Sequence, residues 1–496
     1  MNKNSFGLNL FFILLICSGL YSCKEDSVAF PQIATIQSDS SLLGVYEVAI
    51  NRKVPWEICW GPDGKIWMTE QEGGVSRLDP STGKIQSVLK VPDVWFKRTA
   101  GLLGMDLFKE SDGTIYAFLN YTHQKDTIVT SKLVRYRLER DSLVEPFLVL
   151  QIPGNHSHNG SRLKVSEDGI IYWATGDAHR YGNAQDSTSL NGKILRINRE
   201  GSIPDDNPIA GSPVWAWGFR NMQGLTEGAS GKWYASEHGE ATDDEINLLQ
   251  PLGNYGWPEI EGYTDSAKEM DPAFANRISP IKTWTPTIAP AGLVWYNKDR
   301  IPEWKNSLLL VSLKAQSLRV LKLDKSGEKI TDEIVLLEGV YGRIRSITVS
   351  PEGDIFMATS NRDWNPGPGF PKATDDRVLK ISPAKESKGE ILKPGKAGLV
   401  HSKDGAGIYN QYCASCHKPN GSGVTGSFPS LVQNELVLNN SDSLVKLVLQ
   451  GKNQMPSFSF MKDEELAMVL SYIRTAWSNE AGVITPAAIQ KKRTNN

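Results

Sequence analysis

Cysteine is scarce in this chain: five in 496 residues. No disulfide framework can be built from so few, so the fold must rest on buried apolar surface. An excess of charge of one sign is also missing. Fifty-four Lys and Arg face 56 Asp and Glu, a formal net charge of −2. That balance offers no electrostatic footprint for nucleic acid. The apolar run from Leu8 to Leu20 is too short for a comfortable membrane span. What remains is ordinary for a soluble globular protein, 40% hydrophobic and 22% charged, with length for two to four domains. Fourteen tryptophans, mostly before residue 400, favour a β-rich body.

The N-terminus reads as a targeting segment. Lys3 supplies a short positive region, the apolar run follows, and Leu20-Tyr21-Ser22-Cys23 resembles a bacterial lipobox. Residues 1–22 are expected to be cleaved as a signal peptide and Cys23 to carry lipid, giving an exported, membrane-anchored lipoprotein of the periplasm or cell envelope. An ordinary signal peptide with an incidental Cys is the alternative. Lys24-Glu25-Asp26 could sort the protein but does not specify a membrane face. Cys17 leaves with the signal, and Cys59, in Trp56-Glu57-Ile58-Cys59-Trp60, is expected to be a buried small hydrophobe.

Between about residues 45 and 383 one pattern recurs six times, a Gly or Asn turn followed by a short apolar strand. The copies are Asp63-Gly64 before Ile66, Asp112-Gly113 before Ile115, Asp168-Gly169 before Ile171, Ser230-Gly231 before Trp233, Lys305-Asn306 before Leu308, and Glu352-Gly353 before Ile355. A further strand of the type Val75 to Leu78, Ile194 to Ile197, Leu318 to Leu321 or Val378 to Ile381 follows most of them. The spacing suits propeller blades, so the fold class expected is an all-β six-bladed propeller. A β-sandwich with accidental turn repetition is the competitor. Residues 23–44 read as a tether and 384–396, rich in Lys, Glu, Ser, Gly and Pro, as a linker.

After the linker, residues 397–479 change character. Cys413-Ala414-Ser415-Cys416-His417 is the C-x-x-C-H signature of covalent c-type haem attachment. Cys413 and Cys416 would bind the porphyrin and His417 the iron. Met455, stiffened by Pro456, is the expected second axial ligand, with Met461 as competitor. Asp463 can cap a helix whose stripe is Leu466, Val469, Leu470, Ile473 and Trp477. This segment resembles a small all-α class I cytochrome c, and residues 480–496 read as a frayed tail.

The propeller segment carries a longer set of motifs. They include Pro55-Trp56-Glu57, Gly101-Leu102-Leu103-Gly104, His158-Asn159-Gly160-Ser161-Arg162-Leu163 and Gly192-Lys193-Ile194-Leu195-Arg196. Gly218-Phe219-Arg220-Asn221, Ser236-Glu237-His238-Gly239, Asp244-Glu245-Ile246-Asn247 and Gly253-Asn254-Tyr255-Gly256-Trp257-Pro258 follow in order. Together they resemble the soluble glucose and aldose sugar dehydrogenases that depend on pyrroloquinoline quinone (PQQ), the glucose/sorbosone dehydrogenase family. Independently, PQQ is a tricarboxylate and needs cations, and Arg343-Ile344-Arg345 places two guanidiniums on one face of a strand.

The resemblance implies that Lys314, Arg343 and Arg345 hold the cofactor carboxylates, with Asn221 and Thr287 as further cofactor contacts. It implies His158 as general base, oriented by Asp177, and Arg220 stabilising charge on the reduced cofactor. It also implies Ca²⁺ held by the backbone carbonyls of Gly239 and Glu240. Separately, the acidic run Asp243, Asp244 and Glu245 offers hard oxygen ligands for a second Ca²⁺, with Glu245 and the Tyr255 carbonyl as the foremost candidates and a solvated turn as the alternative. His156 stands two residues from His158 as its confounder. Three departures affect the substrate side. Thr99 stands where glucose-oxidising members carry an amide, Thr285 stands near the place of an aromatic, and the loop around 266–282 is short.

The expected activity is therefore oxidation of an aldose at C1 to the lactone. Electrons would pass from PQQ to the fused haem c and then to a respiratory acceptor or another cytochrome. Another polyol, or a sorbosone-like aldehyde, is the nearest alternative substrate. A catalytically silent carbohydrate- or protein-binding propeller on an electron-transfer cytochrome is the alternative of a different class, and a Ca²⁺-dependent lactonase a third.

Overall fold

The first strand of each copy of the turn repeat pairs between two others in the same sheet, and six such sheets form a ring. The structure is a computed structural model that describes residues 1, 30–38, 40–263, 272, 275–396, 404–453 and 455–494. The lipobox, Cys17, Cys23 and residues 24–26 lie outside the described residues.

Blade one is Pro55–Trp60, Ile66–Glu70, Gly74–Leu78 and Ile85–Lys90. Blade two is Leu102–Lys109, Ile115–Lys125, Ile128–Glu139 and Ser142–Pro153. Blade three is Gly160–Val165, Ile171–Thr175, Lys193–Ile197 and Val214–Trp217. Blade four is Met222–Glu227, Trp233–Glu237, Asp244–Leu249 and Lys282–Trp284. Blade five is Pro290–Tyr296, Ser307–Ser312, Leu318–Leu323 and Ile330–Leu336. Blade six takes Ile344–Val349, Ile355–Thr359 and Val378–Pro383 from late in the chain and Leu42–Ala49 from its beginning. The first strands of neighbouring blades touch all round the ring, including Ile344–Val349 against Pro55–Trp60.

The second strands read as unbroken apolar runs because both their faces are covered. Ile58, Ile66, Met68 and Leu78 of blade one pack on Phe356, Ala358 and Val378 of blade six, a sandwich repeated between the other blades. Cys59 lies in such a layer with Trp67 and Val75, as its apolar surroundings predict. Near the axis the backbones crowd. A Cβ at Gly104 would collide with the Ser161 carbonyl oxygen, which explains why the Gly-Leu-Leu-Gly motif ends in glycine.

The segments expected to be tether and linker depart from expectation. Gln32–Gln37 pairs with Leu42–Ala49 on the outside of blade six, and Glu390–Leu392 runs parallel to it. Gly395–Lys396 extends blade five beside Ile330–Leu336. An outer strand leaves a row of N–H and C=O groups open, and short polar segments can satisfy them. The composition that marks a linker is the same one that suits such an edge. Residues 397–403 lie outside the described set.

The C-terminal domain is helical: α1 (Gly405–Tyr412), α2 (Ala414–His417), α3 (Glu435–Asn439), α4 (Ser441–Gln450), α5 (Asp463–Thr475) and α6 (Pro486–Thr494). Its core joins Ile408 and Tyr409 of α1 to Leu466, Val469, Leu470 and Ile473 of α5, the predicted stripe. Trp477 falls beyond the end of α5 and packs edge-on against Tyr409, ring centroids 4.9 Å apart. Two expectations are corrected. Asp463 is the first residue of α5 rather than its cap. The cap position is Lys462, whose backbone N–H donates to Glu465 Oε2 at 3.0 Å. Residues 486–494 are a helix and not a frayed tail. Ile489 is fully buried in the domain core, and Arg493 Nε donates to Asp463 Oδ1 at 2.7 Å. One anchoring apolar residue leaves no periodicity for a sequence reading to find. Among the described residues no helix is long and apolar enough to cross a membrane.

Candidate active site

His158 stands in the loop that enters blade three, and Asp177 in the loop after that blade's second strand. The two backbones can meet because Gly176 has no side chain, since a Cβ there would strike the His158 carbonyl. His158 Nδ1 lies 2.9 Å from Asp177 Oδ1. Asp177 is fully buried and also accepts from Trp257 Nε1 at 3.0 Å and the His179 backbone N–H at 2.7 Å. Burial pushes the Asp177 carboxyl up, but His158 and Arg220 outweigh it and hold it below the usual carboxylate range. An ionised carboxylate on Nδ1 fixes the tautomer with the proton on that nitrogen. Nε2 is left as the basic atom. Burial, and then the Arg220 charge, lower the His158 pKa, so its ring is neutral at neutral pH. His179 stacks on it, ring centroids 4.1 Å apart.

His158 lines a cavity of about 330 Å³ at the mouth of the ring. Arg220, Lys314, Arg343 and Arg345 line the same space. Arg343 Nε and Arg345 Nη2 converge on one carboxylate oxygen, Asp363 Oδ2, at 3.0 and 2.9 Å. The expected pairing of the two arginines on one face holds, and one acid shared between two guanidiniums leaves net positive charge. Arg345 also lies over the Trp56 ring, 3.9 Å from its centroid, a desolvated cation–π contact of about 2 kcal/mol. Burial lowers its pKa to about 10, which keeps it charged. Lys314 Nζ donates to Thr287 Oγ1 at 2.7 Å.

The Arg220 guanidinium sits over Trp257, 5.3 Å from the ring centroid, and its Nε is buried without a partner among the described residues. Burying an unpaired charged donor is costly, so a site with this orphan and four more cations, Arg98 among them, is built for a polyanion. Asn221 Oδ1 accepts from the Gly160 N–H at 3.2 Å. Gly239 and Glu240 line the cavity too.

Asp244 is a brace rather than an open ligand. It accepts from the Gly239, Ile288 and Ala289 N–H groups at 2.9, 2.5 and 2.7 Å, and burial raises its pKa to about 6. Glu245 and Tyr255 stand apart, around a void of about 10 Å³ behind Gly239 shared with Glu237 and Glu261. Burial raises Glu245 to about 7 and Glu261 to about 8. Among the described residues no cluster of three or more acidic, His or Cys side chains is arranged to hold a metal ion.

The haem signature opens onto the same cavity. Cys413, Cys416, His417 and Met455 line it from the other side. His417 Nδ1 lies 2.9 Å from the Pro429 carbonyl oxygen. A carbonyl only accepts, so Nδ1 carries the proton and Nε2 is free for iron, the arrangement expected of an axial ligand. Met461 is instead buried in the domain core, its carbonyl accepting from Arg493.

The seam between the domains was not visible in the sequence. Asn365 Nδ2 donates to the Ser415 carbonyl at 2.5 Å, and Lys418 Nζ donates to Asn365 Oδ1 and, at 3.2 Å, to the Pro366 carbonyl. The Arg98 guanidinium packs on Trp364 and Phe428, 4.6 and 5.3 Å from their centroids. Asp363, His179, Tyr181 and Trp257 were missed as well, in role if not in motif. Thr99 reaches the cavity wall, its Oγ1 donating to the His156 carbonyl at 3.1 Å, whereas Thr285 binds Asp243 outside it.

The family model for glucose/sorbosone dehydrogenase matches residues 52–365. The chain belongs to that family. It is a sugar dehydrogenase carrying a C-terminal cytochrome c domain, since residues 401–473 match the model for cytochrome c oxidase, cbb3-type, subunit III. The aldose sugar dehydrogenase of Escherichia coli K12 is 30% identical over 347 residues, 66% of this chain and 90% of that protein. The PQQ-bound aldose sugar dehydrogenase from Streptomyces coelicolor shares 30% identity at a TM-score of 0.59, covering 71% of this chain and 99% of its own. Cytochrome c-552 of Thermus thermophilus is 41% identical over 92 residues, 15% of this chain and 70% of that protein.

Proposed function

We propose that this dehydrogenase oxidises an aldose at C1 to the lactone, with PQQ as first acceptor and the fused haem c as second. One observation carries the reading. His158, with Asp177 behind it, five cations and the C-x-x-C-H segment meet at one cavity.

The aldose must lose a proton from its anomeric hydroxyl and a hydride from C1. His158 Nε2 takes the proton, and Asp177 holds the ring and stabilises the resulting imidazolium. PQQ, when bound, accepts the hydride, and Ca²⁺ would polarise the reacting carbonyl from the backbone oxygens of Gly239 and Glu240. Lys314, Arg343 and Arg345 pair the cofactor carboxylates, Thr287 and Asn221 bind beside them, and the orphan Arg220 Nε meets developing negative charge. Glu245 and the Tyr255 carbonyl would be the ligands of any second Ca²⁺.

Cys413 and Cys416 would attach haem c and His417 and Met455 would ligate it, which would supply a one-electron acceptor in the same chain, serving a respiratory acceptor or another cytochrome. The fold keeps donor and acceptor together, which raises the effective concentration of the second step. Lipid at Cys23 would hold the exported protein at the cell envelope. With Thr99 in the wall, glucose specificity does not carry over, and another polyol or a sorbosone-like aldehyde is the alternative substrate.

The test is the reduced haem α-band. Haem-loaded protein is stripped of metal, supplied with Ca²⁺ and PQQ, and offered a panel of aldoses. Reduction that requires PQQ, Ca²⁺ and a sugar supports the reading, and failure to bind PQQ overturns it. Mass spectrometry of the mature protein tests the lipid.

A further inference from the structure

The cavity is walled by five cations, Arg98, Arg220, Lys314, Arg343 and Arg345, yet one carboxylate there has a different set of partners. Two acidic side chains line it, Asp244 and Glu240. Asp244 is fully used by three backbone N–H groups. Glu240 is bound through a single oxygen: Tyr181 OH donates to Oε1 at 2.5 Å. Among the described residues, Oε2 has no hydrogen-bond partner. Tyr181 comes from blade three and Glu240 from the loop of blade four, so two blades meet to aim this carboxylate.

Tyr181 is itself fixed. Its ring packs edge-on against Trp257, centroids 5.0 Å apart, and Trp257 is the indole that donates to Asp177. Burial and the nearby Glu240 charge raise the Tyr181 pKa, so the phenol remains a donor. The Glu240 charge is also felt at His158. His158 and Glu240 line the same cavity, so a ligand whose reacting hydroxyl reaches His158 Nε2 can present its other hydroxyls to Glu240.

We propose that Glu240, positioned by Tyr181, is a specificity-determining residue that accepts hydrogen bonds from the hydroxyls of a neutral aldose and rejects acidic sugars such as uronates. This rests on the reading of the cavity as the site of sugar oxidation. The chemistry is direct: a hydroxyl–carboxylate bond is charge-assisted and stronger than a neutral one, while a second carboxylate facing Oε2 is repelled. The cofactor's own acid groups are served by the cations across the cavity, so Glu240 is left to the substrate.

The holoenzyme with saturating Ca²⁺ and its Glu240→Gln variant are compared on D-glucose against D-glucuronate and D-galactose against D-galacturonate. The backbone carbonyl at 240 is unchanged by this substitution. The variant should raise KM for the neutral sugars about tenfold, the difference between a charged and a neutral hydrogen bond. KM for the uronates should fall. Opposite shifts for the two classes cannot come from a general loosening of the site. Tyr181→Phe should move the neutral-sugar KM the same way, and the double variant should add little to Glu240→Gln alone, as expected for residues acting as one unit. If Glu240→Gln turns over with the neutral-to-acidic preference unchanged, the inference is overturned while the proposed function stands. If the unsubstituted holoenzyme oxidises none of the sugars, both fall together.

Discussion

The amide of Asn365, in the loop after the second strand of blade six, donates to the carbonyl of Ser415, inside the haem-attachment pentapeptide, at 2.5 Å. The same Asn365 side chain accepts from Lys418. One propeller residue thus grips the haem segment from both sides of His417, and the two redox sites share one cavity as a result.

Asn365→Ala removes both bonds without touching His158 or the cation set. Each such bond contributes about 1 kcal/mol, so losing both should weaken docking roughly thirtyfold. Haem reduction after mixing with sugar should slow by that factor in stopped flow. Turnover with a soluble dye acceptor, which bypasses the haem, should stay within about twofold.

Asp177→Asn keeps the shape of the pair and reverses its logic. The amide no longer favours a proton on Nδ1, and the imidazolium loses its counter-charge. Turnover should fall by a factor of about 10²–10⁴ with little change in KM. Steady-state kinetics with the dye acceptor reads this directly.

The pH profile follows from His158. Its pKa is lowered, chiefly by burial and then by Arg220, so the neutral, basic form persists below the ordinary 6.5. Activity should be on its plateau at neutral pH and be lost only as pH falls through a value under 6.5. Arg220→Gln removes a cation that opposes protonation, so the acid limb of kcat/KM should move to higher pH.

Met455→Leu should abolish the thioether-to-iron charge-transfer band of the ferric haem and lower its potential. Met461→Leu should leave the band intact and, as a volume-conserving change in a packed core, cost less than about 1.5 kcal/mol. The reverse pattern would reassign the ligand.

Ile489→Ala tests the C-terminal helix. Removing a fully buried isoleucine that pins α6 to the domain core should cost about 2–5 kcal/mol and lower the melting temperature of the haem domain.

The ring was legible because turn glycines and apolar strands repeat, and each marked copy proved to be the second strand of a blade. The cations were legible because Arg343 and Arg345 alternate along the chain, and the haem-attachment signature because Cys413 to His417 is contiguous. Asp363 was not, since nothing in Arg362-Asp363-Trp364 signals that two distant guanidiniums converge on it. Glu240 was read for its backbone alone, since its side chain gains meaning only when Tyr181 arrives from another blade. The seam at Asn365 and Lys418 was hidden for the same reason. Local pattern reports elements and contiguous motifs, whereas pairings between loops depend on the closed ring. The edge strands at 32–37 and 390–396 were misread because solvent-facing edges and linkers share a composition.

The pairing of Leu42–Ala49 with Val378–Pro383 has a consequence for biogenesis. The strand that completes blade six is the first of the six blades' strands to be synthesised and its neighbour is the last. No shorter nascent chain can close the circle, so the early strand waits with an open edge until more than three hundred further residues have emerged. The cavity mouth, and with it the seat of the haem domain, comes into being only then, which orders assembly as ring first and docking second.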